Sequence, residues 1–140
     1  MSDLKPTTPR EAVRYYHADR EMDVREKTQQ NQRTRLDSWL AFCNEQGIEN
    51  MNDVTGRTLH EFRIWRKNGE GDGYDEVKKV TLKSNLDTLR VFLEFCASID
   101  AVEEGLRERV RIPKLNSDEE YRNEKLEEAD AAEMLEYLEQ

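Results

Sequence analysis

The sequence predicts an all-α protein, a small bundle of four to five helices followed by a C-terminal linker and one extra helix. Three observations predict it. Apolar residues recur at i, i+3, i+4 and i+7 in several segments, the spacing of a buried helical stripe. Glycines, prolines and capping threonines fall between those segments, where helices stop and start. No segment alternates apolar and polar residues over the length of a strand, and no internal repeat is present.

The first helix is expected to begin at Thr8. In "TPRE", Thr8 is the N-cap, Pro9 takes the first helical position, and Glu11 completes a capping box. Ala12, Val13 and Tyr16, with Tyr15 beside them, supply its apolar face. The second helix runs from about Thr28 to Gln46, with Leu36, Trp39, Leu40 and Cys43 in one stripe widened by Phe42. Gly47 ends it in a left-handed stop, followed by Ile48. In the connector, Met51 and Val54 are expected to tuck into the core. Thr55 or Thr58 caps the third helix, "TLHE" reads as a second capping box, and Leu59, Phe62 and Trp65 share a face. "NGEGDGYDE" then reads as a flexible surface loop. The fourth helix starts near Val80 or Thr81. Leu82, Leu86, Leu89, Leu93 and Cys96 form its stripe, and Val91, Phe92 and Phe95 extend the apolar surface, so it is expected to be central. "AVEEGLRERV" predicts one short further helix. Domain limits follow: a helical domain over 1–112, a linker over 113–125, and an amphipathic helix over 126–140 carrying Leu126, Met134, Leu135 and Leu138.

At 140 residues the chain suffices for one domain of ordinary size. A domain near this length buries roughly 68–70% of its unfolded surface and needs no staples. Charged residues make up 38% of the chain, and its formal net charge is −9. That excess is uneven. Residues 1–100 hold 16 bases and 18 acids, net −2, whereas residues 101–140 hold 6 bases and 13 acids, net −7. The acid-rich composition fits adaptation to high salt, and it equally fits ordinary acidic solubility. No stretch approaches the ~20 apolar residues of a membrane span, and "MSDLKPTTPR" has no apolar signal core, so a cytoplasmic protein without membrane contact is expected. Cys43 and Cys96 fall in apolar stripes without CxxC spacing and read as core thiols.

Signs of catalysis are absent from the sequence. His17 and His60 belong to no ligand cluster and are expected to be exposed helix residues. "GEGDG" follows no strand and precedes no Lys-Ser/Thr, so it is a loop and not a phosphate cradle. No cofactor, metal or small-molecule substrate is expected.

Three windows are basic and free of acid: "KTQQNQRTR" (27–35), "RIWRK" (63–67) and "VKKVTLKSN" (77–85). Two of them surround helix N-termini, whose free N–H groups and dipole favour phosphate. Lysines there add charge without base specificity. Thr28, Gln29, Gln30, Gln32, Thr81, Ser84 and Asn85 offer hydrogen bonds to phosphates or base edges.

Helix two reads "T-x(7)-L-x(2)-W-L-x-F-C-x(3)-G-I", the next segment "NMNDVTGRTLHEFRIW", and helix four "TLKSNLDTLRVFLEFC". Over roughly residues 8–115 these segments resemble the N-terminal core-binding domain of tyrosine recombinases and phage-type integrases, the SAM-like domain of Xer-like enzymes. Thr28, Gly47, Asp53-Val54-Thr55, Thr81, Leu89-Arg90 and Phe92 occupy the positions of that family's pattern. Pro113-Lys114, Arg122, Leu126-Glu127-Glu128 and Leu135 are similar to its interdomain junction, so 126–140 resembles the opening helix of a truncated catalytic domain. Two departures stand out: "EEGL" replaces the usual "N-P" after helix four, and the 68–76 loop is unusually acidic.

The resemblance implies a DNA-binding half-clamp that closes on a recombination site together with other protomers. It implies that the nucleophilic Tyr and its Arg, Lys and H-x-x-R partners lie in a C-terminal domain. Neither Tyr121 nor Tyr137 follows an H-x-x-R, so the chain is expected to bind double-stranded DNA without cutting it. Lys27, Thr28, Gln30, Arg33 and Arg35 are assigned to one side of the DNA groove, and Lys78, Lys79, Thr81, Lys83, Ser84 and Asn85 to the other. Arg90, in mid-helix, is also compatible with an ion pair inside the bundle. The alternative function is an acidic helical protein–protein interaction module that recruits a basic partner.

Overall fold

The computed structural model describes residues 3–22 and 25–115. Four α-helices occur among these residues: α1 (Pro9–Arg20), α2 (Glu26–Gln46), α3 (Gly56–Asn68) and α4 (Lys79–Ser98). Single 3-10 turns follow α2 and α4, at Met51–Asp53 and Leu106–Arg109. No strand occurs among the described residues, whose fold is all-helical as predicted. The expected 126–140 helix and all but the first three residues of the 113–125 linker lie outside the described residues.

Each helix starts and stops for a local reason. Thr8 caps α1, accepting from the Glu11 N–H at 3.1 Å while the Thr8 N–H donates to the Glu11 carboxylate at 3.4 Å. α2 starts two residues before the predicted Thr28. Its N-cap is Arg25, which makes no side-chain cap bond, so the sequence carries no capping signal there, and Thr28 lies inside the first turn. Gly47, at φ 72°, ends α2, and the Ile48 N–H reaches back to the Cys43 carbonyl at 2.8 Å, as in a Schellman cap. Thr55 caps α3, and the side chain that completes its box is Thr58. The "TLHE" box therefore does not form, because Thr58 is already the third residue of the helix. α4 begins at Lys79 with Lys78 as an N-cap that makes no side-chain cap bond.

α4 packs against α1, α2, α3 and the second 3-10 turn, which makes it the central element. Leu82, Leu86, Leu89, Phe92, Leu93 and Cys96 are buried along it, and Val91 points outward. Two aromatic groups fill the core. Trp39, Phe42, Phe62 and Trp65 pack ring against ring with centroids 5.3–5.9 Å apart. Tyr16 stands edge-on to Phe92 and Phe95, both at 5.6 Å. Met51 and Val54 are buried as expected, whereas Leu40 is only half-buried and Phe42 takes the deeper place. Both cysteines are free and buried, and burial pushes the Cys43 thiol up to about 12 and raises that of Cys96 as well.

The 69–76 loop differs from the expected flexible segment because it folds back on α3. Gly71 is buried against the Trp65 indole, Tyr74 packs on the same ring at 5.4 Å, and the Val77 N–H donates to the Lys67 carbonyl at 3.2 Å. At the opposite side of the sequence, the Lys5 N–H donates to the Asp100 carbonyl at 2.7 Å. The Asn52 amide donates to both Lys5 and Ala101 carbonyls, at 2.9 and 2.7 Å. Ala101, Val102, Leu106 and Val110 then bury the segment after α4, in which the short further helix is a 3-10 turn, Leu106–Arg109.

Candidate nucleic-acid interface

α2 and α4 each carry a polar stripe at helical spacing, and the two stripes meet. On α2 it is Asn31, Thr34, Arg35 and Ser38; on α4 it is Thr81, Ser84, Asn85 and Thr88. Between them lies a groove of about 440 Å³, walled at one side by Arg66 and Tyr74. The hydroxyls in it donate to their own helices: Thr34 to the Gln30 carbonyl, Ser38 to Arg35 and Ser84 to Val80. One polar contact and one hydrogen bond cross the joint. Ser38 is 3.4 Å from the Asn85 side-chain oxygen, and the Arg35 guanidinium donates to the Thr88 hydroxyl at 3.2 Å. Two arginines and one carboxylate, Asp37, supply the charge of the lining.

The predicted residues divide into three groups. Arg35, Thr81, Ser84 and Asn85 come together in the groove. Asn85 is buried in its floor, where its amide donates to the Thr81 carbonyl at 2.8 Å. That bond lies within α4, and the amide oxygen faces Ser38 of α2, so Asn85 is not an outward-facing contact. Lys78 and Lys79 are exposed at the start of α4, and Gln30 is exposed on α2, while Lys27 and Thr28 are half-buried. The remaining two have acidic neighbours: Lys83 pairs with Asp87 at 2.8 Å, and Arg33 lies 3.6 Å from Glu21. Arg90 faces Glu108 at 3.7 Å, the ion-pair alternative of the sequence reading.

Sequence reasoning missed Asn31, Thr34, Arg66 and Tyr74 as lining residues. A signal for Arg66 existed in the acid-free window "RIWRK". Of its three bases, Arg63 donates to the Arg111 carbonyl and Lys67 pairs with Glu76, which leaves Arg66 to the groove.

His17 also departs from expectation. Half-buried between α1 and α2, it has an inward Nδ1 without a hydrogen-bond partner. Burial, and then the nearby Arg33, hold its pKa below the usual 6.5. A histidine depressed in the folded state binds protons less readily than in the unfolded chain. Stability is therefore lost as pH falls below 6.5 towards the folded value. The melting temperature of the wild type is expected to fall further between about pH 7 and about pH 5 than that of His17→Gln; equal falls would exclude His17 as a source.

Among the described residues, no group of three or more His, Cys, Asp and Glu is placed to hold a metal ion, and no helix is long and apolar enough to cross a membrane. No protein-family model and no curated protein matches the chain. A solved structure does. It is the N-terminal domain of a phage integrase/site-specific recombinase from Haloarcula marismortui, at 32% sequence identity and a TM-score of 0.71, and the match covers 78% of this chain and 99% of that one. The chain belongs to the phage integrase/site-specific recombinase family. The match identifies the helical body of the chain as an integrase N-terminal domain, the resemblance drawn from the sequence pattern. The four-helix architecture of this integrase domain agrees with its neighbour's.

Proposed function

We propose that this integrase domain is the N-terminal half-clamp of a site-specific recombinase and binds double-stranded DNA along the α2–α4 edge. One observation carries the reading: in a recombinase-family domain, the polar stripes of α2 and α4 share one groove with Arg35 and Arg66 in its lining. Phosphate contacts fall to Lys27, Arg33 and Arg35 on α2 and to Lys78, Lys79 and Lys83 at the start of α4. That start has no acid in its first turn, so the helix dipole adds to the lysines. Thr28, Gln30, Thr81 and Ser84 supply hydrogen bonds to phosphates or base edges. Asn85 keeps the two helices in register beneath them. Strand cleavage is assigned to residues outside this domain, other recombinase protomers to its partners, and the cytoplasm to its location.

A gel shift with a duplex carrying the parent element's recombination site tests the reading. Six phosphate contacts at a slope of about −0.9 each weaken binding about 2,000-fold between 50 and 200 mM salt. Replacing Lys78, Lys79 and Lys83 together by Glu is expected to abolish the shift. The carboxylate introduced at position 83 would also stand one turn from Asp87, adding repulsion. Binding that survives the triple substitution unchanged removes the assignment.

A further inference from the structure

The third basic window has one side chain that the bundle does not use. Arg66 is half-buried, and its guanidinium lies over the Tyr74 ring, 5.1 Å from the centroid. Its single hydrogen bond is a long one, 3.4 Å to the Asp75 carbonyl, and its buried Nε has no partner. Among the described residues it has no carboxylate within ion-pair distance, whereas Arg90 and Arg107, which also have buried Nε atoms, pair with Glu108 and Glu94. A guanidinium has five donors. With one bonded to Asp75 and the Nε–H buried, three are left over in a groove that a second arginine, Arg35, also lines. With Asp37 as the single carboxylate beside these two arginines, the lining keeps a net positive charge that attracts an anion.

The support behind Arg66 is rigid. Tyr74 itself packs at a tilt against Trp65, whose indole is closed in by Phe42 and Phe62 and donates to Glu45 at 3.1 Å. A guanidinium held over a ring is restrained in position, and its planar N–H fork suits the paired oxygens of a phosphate. We propose that Arg66 is a phosphodiester contact of the DNA interface, presented from α3 by the Tyr74 ring and sharing its anion with Arg35. The proposal rests on the DNA-binding reading above. It assigns the acidic 69–76 loop a task, which is to carry the ring that aims the arginine.

The test is fluorescence anisotropy of the full chain with the same labelled duplex over a range of salt, for wild type, Arg66→Ala and Arg66→Lys. Circular dichroism checks that each variant is folded. Arg66→Ala is expected to weaken binding about tenfold and to reduce the salt slope by about 0.9, the share of one phosphate. Arg66→Lys retains the charge and is expected to keep the slope while losing several-fold in affinity, because the planar fork is gone. If Arg66→Ala unfolds, the Arg66→Lys comparison decides. Wild-type affinity and slope in both Arg66 variants, alongside loss of binding in the triple lysine variant, overturn this proposal and leave the DNA reading standing. A wild-type chain that binds no duplex at low salt overturns both.

Discussion

Phe62→Ala is expected to lower the unfolding free energy by about 3–5 kcal/mol, the usual cost of truncating a buried phenylalanine. A domain of this size has about 5–15 kcal/mol in total, so the variant would be partly unfolded or close to it. The reason is position. Phe62 is 1% exposed and meets three rings, Trp39 and Phe42 edge-on at 5.3 Å and Trp65 stacked at 5.9 Å. These rings come from both α2 and α3 and are large and stiff, so they cannot collapse into the space left behind. Urea denaturation followed by tryptophan fluorescence measures the effect, since both tryptophans border the cavity. A loss below about 1 kcal/mol would mean that the cluster repacks and that the aromatic joint is not what holds α3 to α2.

Gly71→Ala is expected to cost about 1–3 kcal/mol by overpacking, although it adds only a methyl group. A Cβ at this position falls on the Cζ2 atom of Trp65 and 2.7 Å from its Cη2. The indole has nowhere to retreat, with Phe42, Phe62 and Tyr74 around it. The loop must lift instead, and Tyr74 leaves with it. Gly73→Ala makes the informative comparison. Gly73 has φ +82° and nothing within 4 Å of an added Cβ, so its cost is the backbone penalty alone, about 1–2 kcal/mol. The two losses can be close, but only Gly71→Ala should change the near-ultraviolet spectrum of Trp65. Identical spectra in the two variants would show that the loop does not press on the indole.

The helices were legible because their evidence is local. A residue and its neighbours three and four positions away decide whether a stripe is apolar, and Leu82, Leu86, Leu89, Leu93 and Cys96 announce α4 without knowledge of any other segment. The Thr8 capping box is likewise contained in four residues. Features that depend on a distant partner were not legible. Gly71 and Tyr74 look like loop residues until Trp65 is placed beneath them. Asn85 and Ser38 have surface chemistry, and their burial follows from each other's presence across the α2–α4 joint. The start of α2 escaped for a different reason: Arg25 supplies no side-chain cap to be read. In the candidate interface the acid-free windows pointed to the two helices that form the groove, but a window cannot tell which of its bases are already occupied. Lys67 and Arg63 turn to partners within the domain, while Arg66, from the same five residues, does not.

The Asn52 corner has a consequence for how the molecule ages. One side-chain amide there ties the segment before α1 to the turn after α4, and it needs both of its N–H donors to do so. Hydrolysis of that amide would set a carboxylate against two carbonyl oxygens and release the corner. The reaction needs the next backbone nitrogen, that of Asp53, whose N–H is engaged with the Asn50 carbonyl at 3.0 Å. Cyclisation must wait for the turn to open. The slow accumulation of aspartate at position 52 in stored protein would then act as a clock, counting how often this corner of the bundle comes apart.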